Sequence, residues 1–92
     1  VNMDNVKTKS VIRVTQEDID NGVRTNCFNC PLSLAVKRSL NAVSADVSRW
    51  CIEFKLASGL AGRFVLPKEA VDFVRGFDSD KKVEPFEFEI EY

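Results

Sequence analysis

With 92 residues, of which 45% are apolar and 29% charged, the chain has the length and composition of one globular domain, not of a disordered or fibrous protein. Its 13 basic and 14 acidic residues give a net charge of −1, which argues against nucleic-acid binding, because such domains usually carry a basic excess. The absence of histidine excludes Ser-His-Asp and Cys-His catalysis and removes the commonest transition-metal ligand.

The chain begins with a polar stretch that predicts a flexible tail over residues 1–9, followed by a single folded domain over 10–92. Val11–Thr15, "VIRVT", predicts a short strand. Thr15 and Asp18 have the spacing of a capping box, in which each side chain accepts a hydrogen bond from the other residue's backbone N–H. A short turn of helix is therefore expected after the first strand.

Gly22 is placed to end that turn in the left-handed conformation, and a longer helix is expected to follow. Pro31 suits the first helical position, because its missing N–H would be unpaired there in any case. Apolar residues at helical spacing then predict a helix over 31–40 that closes near Asn41. The residues expected to face water on this helix are Ser33, Lys37 and Arg38.

The middle of the chain alternates between apolar and polar residues, which predicts a hairpin. Its first strand begins near Arg49, and "ASGLAG" supplies two glycines for the reversal. The returning strand covers 63–66. The residues expected to face the core are Trp50, Ile52, Phe54, Leu56, Phe64 and Leu66.

A second long helix and a last strand complete the predicted elements. Pro67 starts the helix "PKEAVDFVRGF", and Gly76 is placed to end it. Pro85 then favours an edge position or a strand start for "VEPFEFEIEY", because proline cannot donate a ladder hydrogen bond. The residues expected to face inward are Ala70, Val71, Val74 and Phe77 on the helix and Phe86, Phe88, Ile90 and Tyr92 on the strand.

The predicted fold is a compact α+β domain with the order β-α-β-β-α-β. Two helices would cover one face of a four-stranded sheet. A ferredoxin-like topology fits this order, and shuffled strand orders fit it equally well.

The Cys-x-x-Cys pair, Cys27 and Cys30, is the sharpest chemical feature of the sequence. A zinc site would need two further ligands, and Cys51 is a candidate for only one of them. A redox site is favoured by the helix start at Cys30, where a lowered thiol pKa is expected, but no buried strand precedes the pair. The simplest interpretation makes Cys30 a small, nearly buried residue at the helix entrance. No metal or cofactor is expected.

The last strand carries an acidic row, Glu87, Glu89 and Glu91. Such a row either blocks edge-to-edge aggregation or meets a basic partner. Arg49 and Lys55 on the outer face of the hairpin are candidates to pair with these glutamates. All five residues are candidates for partner binding.

If Arg49 and Lys55 instead meet Arg13 and Arg63, a small basic patch would form, and weak nucleic-acid binding stays open as a minor alternative. The aromatic side chains weaken this alternative, because the pattern places them on the opposite, inward face of the sheet.

Three stretches resemble a family of small uncharacterised proteins that occur in bacteriophages and some bacteria: "VTQEDIDNGVR", "CPLSLAVKR" and "FVLPKEAVDFVRGFDSDKKVEPFEFE". The resemblance extends from Val11 to Glu89 in the same order. It implies no known activity. The family's motif keeps the Cys30–Pro31 helix start but not the first cysteine, which implies a structural role for Cys30.

The sequence thus predicts a non-enzymatic protein-interaction module of the phage type that works through a sheet face or an edge strand, with no catalytic residue. A homodimer through an edge strand is one form of this prediction. A thiol or metal protein is the main alternative, and weak nucleic-acid binding is the second. An odd, low cysteine count without a leader or an apolar span predicts no membrane contact and a cytoplasmic location, in the host cytoplasm if the chain is phage-encoded.

Overall fold

The computed structural model describes residues 9–91, in which five strands and three helices follow the order β-α-α-β-β-β-α-β. The strands are β1 (Lys9–Val14), β2 (Ala42–Val47), β3 (Cys51–Leu56), β4 (Ala61–Val65) and β5 (Phe86–Glu91), and the helices are α1 (Gln16–Asn21), α2 (Pro31–Leu40) and α3 (Lys68–Asp78). The predicted tail over residues 1–9 is described only at Lys9, which begins β1. The predicted inward position of Tyr92 lies outside the described residues.

The strands form two antiparallel sheets, one of β1 and β5 and one in the order β2-β3-β4. The α+β class is confirmed, but the predicted single four-stranded sheet is wrong. Within residues 9–91, β4 pairs only with β3 and β5 pairs only with β1, so no ladder of described residues joins the two sheets. Helix α2 packs against β1 of one sheet and β2 of the other, which connects them through side chains.

The predicted capping box begins α1. The Thr15 hydroxyl accepts from the Asp18 N–H at 3.2 Å, and the Asp18 carboxylate accepts from the Thr15 N–H at 2.9 Å. Gly22 does not take the predicted left-handed conformation, since its φ is −71°. A Cβ on Gly22 would lie 2.5 Å from Cδ of Pro31, so glycine is required there by close packing against the start of α2.

Helix α2 has the predicted bounds and ends at Asn41 in the left-handed conformation. Ser33 was predicted to face water and is instead fully buried. Its hydroxyl lies 2.7 Å from the carbonyl oxygens of Phe28 and Ala45, because α2 packs closely on β2. This hydroxyl therefore ties the helix to the sheet and to the loop before it.

Arg38 is exposed, as predicted, and it binds Asp18 through both terminal guanidinium nitrogens. The Nη1–Oδ1 distance is 2.6 Å and the Nη2–Oδ2 distance is 2.8 Å. Nη2 also donates to the backbone carbonyl of Arg13 at 2.7 Å. A buried carboxylate of α1 is thus neutralised from α2, which holds the two helices together.

The hairpin of β3 and β4 is present, and its inward residues are buried except at the two ends of the first strand. Trp50 was predicted to be inward but is 63% exposed, because it lies in the turn before β3. Leu56 is only half-buried. Strand β2 was missed, since a bulge between Ala42 and Ser44 interrupts its alternation.

Helix α3 continues through Gly76, which was wrongly predicted to end it. Its buried residues are Ala70 and Phe77, as predicted, and also Phe73, whose ring centroid lies 5.0 Å from that of Phe86 in β5. Val71 and Val74 of the predicted stripe are half-buried. No helix among residues 9–91 has both the length and the apolar character that crossing a membrane requires.

Candidate functional site

A groove of about 530 Å³ lies between the two sheets. It is lined by residues 63–67, from β4 and the segment after it, and by residues 89–91 of β5. Neither β3 nor β1 contributes to its described lining, although these are the strands that pair with β4 and β5. The free edges of β4 and β5 therefore flank this space, which is called the edge groove below.

The edge groove has an apolar floor and a charged rim. Phe64, Leu66 and Ile90 are 4–6% exposed and face the core, so the residues that alternate with them point outward. On the outer side, Val65 is 77% exposed. The charged residues on the rim are Arg63 on β4 and Glu89 and Glu91 on β5.

The acidic row of β5 pairs within its own sheet. Glu87 accepts from Nε of Arg13 at 3.0 Å, and Glu91 lies 3.8 Å from Nζ of Lys9. Glu89 stands opposite Val11 in the ladder and has no ion pair within residues 9–91. Within residues 9–91, the middle carboxylate of the row is therefore the one without a cation, and it lies in the lining of the edge groove.

Among residues 9–91, Arg49 and Lys55 form no ion pair with the acidic row. Lys55 belongs to β3 of the other sheet, and Arg49 lies in the turn before that strand. Arg13 is engaged by Glu87 on the two-stranded sheet, whereas Lys55 and Arg63 belong to the three-stranded sheet. Among the described residues, the exposed face of β2, β3 and β4 also carries no aromatic side chain for stacking on bases.

A second cavity, of about 430 Å³, lies beside the start of α2 and is called the thiol cleft below. Both cysteines of the Cys-x-x-Cys pair line it, together with the β2–β3 turn and one side of α3. Two basic residues, Arg49 and Arg75, and one acidic residue, Asp78, also line it. Arg75 and Asp78 were not singled out from the sequence, where they are two ordinary charges of a helix.

Cys30 is the N-cap residue of α2 and is 4% exposed. Burial raises the pKa of its thiol above the ordinary value, although the backbone N–H groups of Ser33 and Leu32 oppose this rise. The nearby charge of Asp78 and the Cys27 thiol raise the pKa of Cys30 further. The expected lowering of the pKa by the helix start is therefore wrong, since desolvation outweighs the favourable N–H groups.

Cys27 is exposed and lies in a turn. The Asn26 side chain holds this turn by accepting from the N–H groups of Phe28 and Asn29 at 3.0 and 3.1 Å. The Cys27 carbonyl accepts from the Val47 N–H at 2.9 Å, which attaches the turn to β2. Cys27 thus has a fixed backbone and an accessible thiol.

Cys51 lies apart from this pair. It is half-buried in β3, and its sulfur is 3.2 Å from the Ser48 hydroxyl. All three cysteines are free. Across residues 9–91 no three His, Cys, Asp or Glu side chains are grouped to hold a metal ion, so the described chain does not assemble the zinc site considered from the sequence.

Comparison with models of known protein families, with curated protein sequences and with solved structures found no match. The resemblance to small phage and bacterial proteins therefore stays a prediction.

Proposed function

We propose that this chain is a small, non-enzymatic protein-interaction module of the phage type that binds an extended segment of a partner protein in the edge groove. The observation that carries the proposal is the position of two free strand edges, β4 and β5, on either side of one groove. An extended segment would add a strand to either edge, and its main-chain groups would supply much of the affinity.

The lining of the groove favours a particular pattern in the partner. Alternate side chains of a bound strand would point to the apolar floor of Phe64, Leu66 and Ile90. The side chains between them would point outward, toward Glu89 and Glu91. A segment of about three to five residues, roughly 10–17 Å long, spans the lined part of the strands. We expect apolar residues that alternate with Lys or Arg.

Charge complementarity favours a different protein over a second copy of the chain. Glu89 has no cation within the described residues, so a basic side chain of the partner would be its first. Pairing β5 with another β5 would instead place two acidic rows side by side, which is destabilising. A partner with alternating basic residues avoids this repulsion.

The test is a titration with a synthetic peptide of alternating valine and lysine, followed by NMR of the backbone amides. Shifts should concentrate at residues 63–67 and 89–91. A peptide of alternating valine and glutamate is the matched probe and should bind more weakly. Shifts elsewhere, or no shift at millimolar peptide, would reject the edge groove as the site.

Two charge reversals on the same strand sharpen the test. Glu89→Lys should weaken binding of the valine–lysine peptide by about tenfold, since a like-charge contact replaces an attractive one. Glu87→Lys is the control, because Glu87 lies on the same face but outside the groove lining. Equal effects of the two variants would indicate only a general charge effect. Concentration-dependent dimerisation through β5 would favour a second copy as the occupant.

A further inference from the structure

The thiol cleft contains chemistry that peptide binding in the edge groove does not use. Two thiols of very different accessibility line one cavity, Cys27 at the surface and Cys30 4% exposed. The Asn29 N–H donates to the Asn26 carbonyl at 3.3 Å, so the chain turns at Cys27 and Phe28, directly before Cys30. Two cysteines separated by two residues have the spacing of redox-active Cys-x-x-Cys motifs.

We propose that Cys27 and Cys30 form a site of thiol–disulfide exchange with small anionic disulfides, in which Cys27 is the attacking thiol and Cys30 the resolving one. The arrangement of the cleft assigns these roles. Only Cys27 can meet an incoming disulfide, whereas Cys30 can reach a sulfur already attached to Cys27 from inside the cleft.

The exchange proceeds in two steps that balance. The Cys27 thiolate attacks one sulfur of the small disulfide, forming a mixed disulfide and releasing one small thiolate. Cys30 then attacks the Cys27 sulfur, the second small thiol leaves, and the Cys30 proton passes to it. The protein dithiol loses two electrons, and the small disulfide gains them and leaves as two thiols.

The charges in the cleft favour an anionic disulfide. Arg49 and Arg75 both line it, and neither forms an ion pair within residues 9–91. Asp78 is already engaged, since its carboxylate accepts from the Thr25 N–H at 3.0 Å. Two guanidinium groups are therefore open to the carboxylates of a ligand such as oxidised glutathione.

The backbone around Cys30 supports its role in the second step. The N–H groups of Leu32 and Ser33 act to lower the pKa of its thiol, against the larger effect of burial, so they favour negative charge that develops on its sulfur during attack. Cys51 lies outside the cleft lining and provides an internal control in the same chain.

The experiment incubates the purified chain with oxidised glutathione and follows the products by intact mass and peptide mapping. The wild-type chain and Cys51→Ser should each lose two hydrogens, form the Cys27–Cys30 disulfide and retain no glutathione. Cys30→Ser should accumulate one glutathione on Cys27. Cys27→Ser should form neither a protein disulfide nor a glutathione adduct at Cys30. Circular dichroism checks that each variant is folded.

A second measurement isolates the two arginines. Replacing both arginines with glutamine should lower the ratio of the rate with oxidised glutathione to the rate with uncharged hydroxyethyl disulfide. The fall should be about threefold for each arginine, as expected for an exposed ion pair. Arg63→Gln, in the edge groove, is the matched control and should leave the ratio unchanged. Glutathione retained on Cys27 of the wild-type chain, oxidation at Cys51 instead, or a ratio that does not respond to the arginines would overturn the proposal. The wild-type result decides the matter even if Cys30→Ser fails to fold.

Discussion

Replacing Asp18 with asparagine should lower the free energy of unfolding by about 2 kcal/mol. Asparagine keeps the size of the side chain and an oxygen that can accept from the Thr15 N–H. It cannot accept both hydrogen bonds from Arg38, which lie at 2.6 and 2.8 Å in the wild-type chain.

The magnitude follows from the burial of the two partners. A hydrogen bond to a charged group contributes about 1.5–3 kcal/mol when it is shielded from water. The Asp18 side chain is only 5% exposed, but that of Arg38 is 50% exposed, so solvent screens the pair and the lower part of this range applies. In a domain of this size, 2 kcal/mol corresponds to a fall of roughly 8–16 °C in Tm.

The assay is urea unfolding followed by far-UV circular dichroism, with Asp72→Asn as the matched control. Asp72 also binds a cation, Lys68, at 2.8 Å, but both side chains are more than half exposed. The control should therefore change stability by no more than about 0.5 kcal/mol. Equal effects of the two substitutions would refute the assignment of a buried, stabilising pair.

The effect of Asp18→Asn should also depend on pH. Burial acts to raise the pKa of Asp18, but the hydrogen bonds from Arg38 and Thr15 outweigh it and hold the pKa below its ordinary value. The carboxylate therefore contributes its full stabilisation above the unfolded-state pKa of about 3.9, and loses it as the pH falls through the lower folded-state value. The difference between wild type and variant should be constant from pH 7 to about 5 and shrink below about pH 4. A difference independent of pH down to acid unfolding would contradict this origin.

Two further substitutions test the packing around the sheets. Gly62→Ala should lower the free energy of unfolding, measured with urea, by about 1–3 kcal/mol, because the added Cβ would lie 2.6 Å from Cζ of Phe54. A neutral result would show that the Phe54 ring shifts to make room. Ser33→Ala should cost about 1–2 kcal/mol in the same assay, because it removes the buried hydroxyl that donates to a backbone carbonyl; Ser39→Ala, on the exposed side of α2, is the control and should be nearly neutral.

The elements that sequence reasoning predicted best are those specified by local chemistry. The capping box of Thr15 and Asp18 and the start of α2 at Pro31 depend on hydrogen bonds and backbone restrictions within a few residues, and both are confirmed. The alternation around Ile52 and Phe54 is likewise a local period, and it correctly predicted the buried face of β3.

The errors arise where partners distant in the chain decide the outcome. Ser33 is a polar residue on a helix, for which solvent exposure is the usual state, but it is buried against β2. Arg38 is exposed as predicted, and what was not predicted is its ion pair with Asp18 of α1. Trp50 has the right spacing for the inward row, yet the turn at which β3 begins leaves it exposed.

The sequence by itself determined the class of the domain, the acidic row of β5 and the cysteine pair at the start of α2. Only the tertiary structure decided that the strands divide into two sheets, that Glu89 is the carboxylate of the row without a cation in the described part of the chain, and that both cysteines share a cleft with Arg49 and Arg75. The periods of helices and strands are set by residues close together in the sequence. The pairing of strand edges and the contacts between side chains of different elements depend on residues far apart in the chain.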